Sequence, residues 1–400
     1  MNSPASVLEN AVAVADQVRT NLVKPLKNEY VGKDEVIDLL GLCLVAGENL
    51  FLLGPPGTAK SALVRSLAQK LDGRVFDYLL TRFTEPSELF GPFDIRRLRE
   101  GELQTNTAGM LPEADIIFLD ELLNANSAIL NSLLMALNER VFRRGRETRD
   151  LTFVLTVGAS NRLPEDEALA ALFDRFLLRV RSENVPDEML SSVMEAGWKL
   201  QTEMRRPANH CVSIERLRQL QQAIPDVDVA EIRPVFVGLI GRLRHAGIEV
   251  SDRRAVRLQR LAAASALMCG RTSANRSDLW VVRYIWDTME QVEVLAKIVD
   301  DTIQVSDDAV AAESVHPRAS QADAPNPEHV NRDLDQIESQ IPGATDSGTR
   351  SWLNDRLGIL LARVEWIPAE EPRQFLKERI EVLLGRIDSV GQQASSGEAE

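Results

Sequence analysis

Residues 49–61 read Asn49-Leu50-Phe51-Leu52-Leu53 followed by Gly54-Pro55-Pro56-Gly57-Thr58-Ala59-Lys60-Ser61. Few folds accept an apolar run that feeds a Gly/Pro turn and opens a helix at Lys-Ser. A buried strand must pass at once into a helix (Ala59 to Leu71, with Ala62 in its first turn) whose N-terminus faces the turn. Such a turn binds phosphate. Its amides cradle the anion, the lysine reaches the β and γ oxygens, and the serine hydroxyl holds Mg²⁺. The pattern predicts a nucleoside triphosphate with Mg²⁺ as ligand. One position departs from the usual spacing: Ala59 stands where a glycine usually precedes the lysine. Alanine is small and favours helix, so the loop is expected to close with a negative φ there.

Around this turn, from about 30 to 185, short apolar runs alternate with helical stretches. Strands are expected at 49–53, 75–80, 115–119, 152–158 and 176–180. Near-continuous apolar strands separated by helices mean a parallel sheet covered on both faces, an α/β αβα core over 29–185. From 186 to about 305 the strand signal vanishes. Patterns such as Leu258-Leu261-Ala262-Ser265-Ala266-Met268 predict a second, all-helical domain. Residues 1–28 read as an amphipathic helix interrupted by Pro25.

The C-terminal quarter differs. Residues 306–348 hold nine acids and two arginines, a net −7 and half of the chain's −14. They are expected to be an acidic flexible linker. Leu353, Leu357, Leu360, Leu361 and Val364, then Leu376, Ile380, Leu383, Leu384 and Ile387, share one spacing either side of Pro368 and Pro372. That predicts a helical hairpin at 349–390, followed by a disordered tail at 391–400.

Hydrophobic residues make up 44% of the chain, ample for a core. No apolar run approaches the ~18 residues of a membrane span, and Glu9 and Asp16 break the only apolar stretch that resembles a leader. Cys43, Cys211 and Cys269 lie far apart on apolar segments, expected to be reduced in a cytoplasmic protein. The net acidity argues against a generic nucleic-acid coat.

Four further elements carry chemistry. Ile116-Ile117-Phe118-Leu119-Asp120-Glu121 is an apolar strand that delivers two carboxylates to the sheet's carboxyl edge, where α/β ligands bind. Asp120 suits the Mg²⁺ shell and Glu121 suits polarising a water. Thr156-Val157-Gly158-Ala159-Ser160-Asn161 ends in an asparagine able to hydrogen-bond that water or the γ-phosphate, or serving only as a turn residue. Asp174-Arg175-Phe176 places an arginine among apolar neighbours, where it either pairs with Asp174 or points outward to a neighbouring subunit's γ-phosphate. Ser251-Asp252-Arg253-Arg254 opens a helix. Its first residues can cap that helix, and a guanidinium there could reach across the interdomain cleft to the nucleotide.

In order and spacing this set resembles the AAA+ ATPase module, and within it the MoxR family, the RavA-type branch in particular. Gly54 to Ser61, with Ala59 in place of glycine, is similar to that family's own loop. Val31-Gly32-Lys33-Asp34-Glu35-Val36-Ile37 resembles the segment beside the adenine base, and Asn138-Glu139-Arg140-Val141-Phe142 the stretch that leads into a hairpin. The resemblance covers roughly residues 20–300. It implies a five-stranded αβα domain with a helical lid, ATP bound between them, and a homo-oligomeric ring, usually of six. It assigns Lys60 and Ser61 to Walker A, Asp120 and Glu121 to Walker B, Asn161 to sensor 1, Arg175 to the arginine finger and Arg253, rather than Arg254, to sensor 2. Residues 90–112, with Gly91, Arg96, Arg97, Arg99 and Gly101, fit a β-hairpin insert that lines a pore and engages a client.

The resemblance also implies an ATP-hydrolysing, chaperone-like factor that remodels or matures a protein client with a von Willebrand A domain partner. The acidic linker and the hairpin are the expected recruiting elements. The rival reading is a nucleic-acid motor, in which Arg140, Arg143, Arg144, Arg146 and Arg149 grip a phosphate backbone instead of pairing with Glu139, Glu147 and Asp150. A third is a nucleotide-gated scaffold with little turnover.

Overall fold

The computed structural model describes residues 4–99, 104–144, 147–164, 166–203, 210–304, 316–320, 327–341, 347–364 and 370–397 of the 400-residue chain. The chain divides into two compact units, Met1–Ala319 and Ser320–Glu400.

Seven strands are described in the first unit: β1 (Leu50–Leu53), β2 (Val75–Leu79), β3 (Ile116–Asp120), β4 (Val141–Arg144), β5 (Glu147–Asp150), β6 (Leu155–Ser160) and β7 (Leu178–Arg181). Five form a parallel sheet in the order β2-β3-β6-β1-β7, while β4 and β5 make a separate antiparallel hairpin. Each of the five expected strands lands on one strand of this sheet. The inner strands β3, β6 and β1 are buried almost throughout, which is why they read as unbroken apolar runs. Edge strand β2 alternates, leaving Val75 and Leu79 exposed. Parallel register brings the carboxyl ends of β1, β3 and β6 to one edge, so whatever follows those strands is assembled there.

The helices Asp187–Glu203, Ile214–Ala223, Arg233–His245, Asp252–Met268 and Gln291–Gln304 follow, with a 3₁₀ stretch at Arg276–Tyr284. The N-terminal helix Pro4–Gln17, a π turn at Val18–Val23 and the helix Lys24–Glu29 join the same core through Val14, Val18, Leu22 and Leu26. Two buried ionic groups hold the helical part. Asp278, fully buried, accepts from Arg271 twice at 2.8 Å, from Ser265 Oγ at 2.7 Å and from the Asn275 amide at 2.8 Å. Arg179 on β7, also fully buried, donates to the carbonyls of Ile285 (3.0 Å) and Trp286 (2.7 Å) and pairs with Asp287 at 2.6 Å. Burial pulls its pKa down to about 10, against the opposing charge of Asp287. A bare buried guanidinium would cost several kcal/mol, so these acceptors latch the sheet's last strand to the helical domain.

The stretch expected to be a flexible linker is partly ordered. His316 stacks on Trp280, with ring centroids 4.7 Å apart, and Arg318 pairs with Asp38 at 2.6 Å, so the end of the first unit is clasped to it. In the second unit, residues 327–340 form a helix whose Val330, Leu334 and Ile337 pack with Ile341 and the two expected helices. Those helices run Ser347–Val364 and Glu370–Gly397. The hairpin is thus two-thirds of a three-helix unit, and the last helix continues through most of the stretch expected to be a tail. The three cysteines are free thiols. No described helix is long and apolar enough to cross a membrane.

Asp278→Ala strands the Arg271 guanidinium in the helical domain. Thermal or urea unfolding of the full chain should show a loss of about 3–5 kcal/mol; an unchanged transition would mean that this network does not hold the domain.

Candidate nucleotide site

The loop after β1 is pinned on three sides. The Gly54 amide donates to Ser160 O at 3.0 Å, Thr58 Oγ1 to Pro55 O at 3.0 Å, and Ser182 Oγ to Thr58 O at 3.2 Å. A Cβ at Gly54 would lie 2.1 Å from Ser182 O, so only glycine fits. Ala59 caps the helix Lys60–Gln69 in the left-handed region, at φ 64° and ψ 16°. This corrects the expected negative φ. The chain must reverse hand between loop and helix, and Ala59 absorbs the reversal at roughly 1–2 kcal/mol of strain.

Lys60 is buried, and its Nζ donates to Gly54 O at 2.7 Å and Pro55 O at 2.9 Å. Burial lowers its pKa, while Asp120 and Glu121 oppose the shift. An ammonium held by its own loop's carbonyls can exchange them for phosphate oxygens. Lys33, also buried, donates to the Glu183 carbonyl, and both burial and the charge of Lys60 lower its pKa. Lys33 adjoins Val31 and Gly32, and Tyr284 from the helical domain bonds Glu35 at 2.6 Å just beyond.

Ser61 Oγ donates to Asp120 Oδ2 at 2.7 Å. The serine after the lysine and the aspartate ending β3, 59 residues on, therefore already meet. Their hard oxygen donors suit Mg²⁺, and the loop amides with Lys60 suit phosphate. Glu121 follows in a left-handed conformation (φ 51°), where β3 turns sharply into the 3₁₀ turn Leu122–Asn124. Strain of this kind persists only where its surroundings enforce it. Burial, then the charge of Asp120, raises the Glu121 pKa. Asn124 Nδ2 donates to Glu121 Oε2 at 3.5 Å, and Arg162 Nη2 donates to Asn124 Oδ1 at 3.1 Å. Asn161, exposed, follows Ser160 at the mouth of the loop. Sequence reasoning quoted Lys33 only within the 31–37 segment and passed over Asn124 and Arg162; the signals were the i, i+3 spacing of Glu121 and Asn124 and the adjacency of Arg162 to Asn161.

Arg175 and Arg253 lie elsewhere. The Arg175 carbonyl accepts from Asn49 Nδ2 at 3.0 Å. This is the amino edge of β1, about 16 Å along the strand from Gly54. Arg253 Nη2 reaches Asn138 Oδ1 at 3.4 Å, beside Arg140, whose Nη2 donates to Gly47 O at 2.8 Å. Burial lowers the Arg175 pKa, as do the charges of Arg253 and Arg257, while Asp174 opposes them. The two arginines therefore share the edge opposite the phosphate loop. This corrects the expectation that the lid's guanidinium reaches the nucleotide of its own chain. Ser251 Oγ caps its helix, accepting from the Arg254 amide at 3.2 Å, and Arg254 turns inward to Asp287 at 3.0 Å.

In the expected insert, Phe93 and Thr105 form an antiparallel bridge, and Asp94 N donates to Gln104 O at 2.8 Å. A short helix, Ile95–Arg99, follows this pairing and exposes Arg96, Arg97 and Arg99; Gly101 lies outside the described residues. Of the hairpin arginines, Arg140 stacks over Phe153 and Arg144 over Phe93, Arg143 pairs with Glu139 at 3.5 Å, and Arg149 donates to Thr107 at 2.6 Å. Arg146 lies outside the described residues.

Known proteins resemble this chain. Residues 16–222 match the profile of the MoxR domain in the MoxR-vWA-beta-propeller ternary systems, and residues 231–299 match an AAA lid domain. Two uncharacterized proteins of Methanocaldococcus jannaschii are 35% and 34% identical, over 69% and 65% of this chain and 72% and 69% of their own. The chaperone MoxR1 of Mycobacterium tuberculosis is 26% identical over 42% of this chain and 46% of its own. The crystal structure of a Cytophaga hutchinsonii protein, named as a candidate ATPase, superposes with a TM-score of 0.61. It is 20% identical, covering 74% of this chain and 97% of that one, and shares the fold.

At Ala59 two magnitudes compete. Glycine relieves about 1–2 kcal/mol of left-handed strain but adds unfolded-state freedom worth about 0.4–1 kcal/mol. Ala59→Gly should therefore melt no lower than the parent and keep nucleotide binding. Gly54→Ala, by contrast, should lose binding of a fluorescent ATP analogue.

Proposed function

The chain belongs to the MoxR family of AAA+ ATPases, and on that premise we propose a Mg²⁺-dependent ATP hydrolase, working as a ring, that remodels or matures a protein client. The observation that carries this reading is the ready-made pair Ser61–Asp120 beside a lysine-capped phosphate loop. Lys60, with the loop of residues 54–62, whose N–H donors for phosphate lie at 57–62 because Pro55 and Pro56 have none, holds the phosphates; Ser61 and Asp120 hold Mg²⁺; Val31 lies at the adenine. The bound metal supplies neutralising charge on the phosphoryl group. Glu121 orients a water and accepts its proton, and Asn161 hydrogen-bonds that water or the γ-phosphate.

Arg175, as arginine finger, and Arg253, as sensor, complete a neighbour's site. The edge they occupy makes action on their own phosphate loop sterically remote. A site shared in this way couples hydrolysis to motion between subunits, and the family resemblance points to six. The matching profile's name supports a von Willebrand A domain partner. The second unit is the proposed recruiting element. The free thiols suit a cytoplasmic protein, and the loop's Ala59 carries the RavA-type resemblance. The nucleic-acid reading is weakened because Arg140, Arg143, Arg144 and Arg149 are engaged within the chain.

Lys60→Ala should abolish ATP binding, whereas Glu121→Gln should bind ATP with turnover down by about 10²–10⁴-fold, the usual worth of a general base. A Lys60→Ala chain that still binds ATP tightly contradicts the site. A purified von Willebrand A domain partner should raise the ATPase rate. Stimulation by single-stranded DNA instead, lost with salt, would favour the motor.

A further inference from the structure

We infer that Asp174, Arg254 and Asp287 form a relay through which the helical lid positions the guanidinium of Arg175 for a neighbouring subunit. It rests on the reading of Arg175 as a residue acting in trans. The links alternate in sign. Arg175 Nη1 donates to Asp174 Oδ2 at 3.1 Å, and Asp174 Oδ1 lies 4.0 Å from Arg254 Nε. Arg254 Nη1 bonds Asp287 Oδ2 at 3.0 Å, and Asp287 Oδ1 meets buried Arg179 at 2.6 Å. The chain of charges thus runs from a partly exposed arginine on the sheet edge to the buried latch between strand and lid.

Asp174 is the pivot, with one oxygen on the finger and the other facing the lid. Arg254 cannot follow the finger, because the carbonyls of Ile285 (2.7 Å) and Glu249 (3.1 Å) hold it to the lid. Its Nε is buried without a hydrogen-bond partner, and it is the atom that faces Asp174. A lid displacement of about 1 Å would close this gap into a hydrogen bond of ~2.9 Å. The cations flanking Arg175, Arg253 and Arg257, repel it and leave Asp174 to decide where it rests. Asp174 is 43% exposed, so its pairing with Arg175 is worth only about 0–1 kcal/mol to the fold. As a positioning contact it matters far more, since a misplacement of ~1 Å can cost on the order of 10²-fold in rate.

The test uses full-length assemblies mixed from two variants. An Arg175→Ala chain keeps its own site but offers no finger; a Glu121→Gln chain offers the finger but turns over nothing. Mixing should recover turnover at interfaces where the second serves the first. Adding Asp174→Asn to the Glu121→Gln chain should cut the recovered kcat about 10-fold or more, with KM and melting unchanged and Asp174→Glu partly restoring it. Arg254→Lys in the same chain should produce the same loss. If Asp174→Asn alters assembly in sedimentation, the charge-keeping Arg254→Lys, with its melt checked as unchanged, reads the lid side of the relay with the same expected loss. Undiminished recovery overturns the relay while Arg175 keeps its role. No recovery from the parent pair overturns the trans reading and the relay with it.

Discussion

The parallel register of five strands constrains everything else in this molecule. Because β1 and β7 run side by side in the same direction, the loop after β1 and the arginine before β7 are held at opposite edges, a strand length apart. In this structure Arg175 and Arg253 lie at the amino edge, with Arg175 at Asn49 and Arg253 at Asn138. The phosphate loop, Asp120, Glu121 and Asn161 gather at one edge; Arg175, Arg253 and the charges around them gather at the other. On the proposed reading, this separation is a division of labour between copies.

The two edges are built differently, in keeping with different tasks. Left-handed non-glycine residues occur at both, Ala59 and Glu121 at the phosphate edge and Arg140 at the other; at the phosphate edge the polar groups named above are satisfied inside the chain. Lys60 on its loop carbonyls is the clearest case. At the opposite edge, guanidinium groups outnumber acids, and several guanidinium nitrogens are buried without partners. The second edge is connected to the lid through Asp287, which touches both Arg179 and Arg254. On the proposed relay, lid position and the position of Arg175 are linked through Asp174.

Much of this was legible in the sequence. The inner strands were readable because burial on both faces removes alternation, and the loop because Gly54 and Lys60 answer to steric and charge requirements at fixed spacing. The backbone of Ala59 was not, since helix propensity carries no information about a residue that ends a turn by reversing hand. The helix at 327–340 was hidden by composition: Val330, Leu334 and Ile337 carry a helical period, but the surrounding acids read as a linker. Nothing local announces the burial of Arg179, because its carbonyl acceptors come from a segment more than a hundred residues later. The placement of Arg253 depended on how the lid packs, which no local pattern encodes.

A site divided between copies should make turnover depend on assembly. The most direct measurement is the ATPase rate per chain across a dilution series, with the oligomeric state followed in parallel by sedimentation. The account predicts that kcat per chain falls as the assembly dissociates, that monomers bind ATP without turning it over, and that Arg175→Ala is slow at every concentration. A constant rate per chain down to the monomer would contradict it.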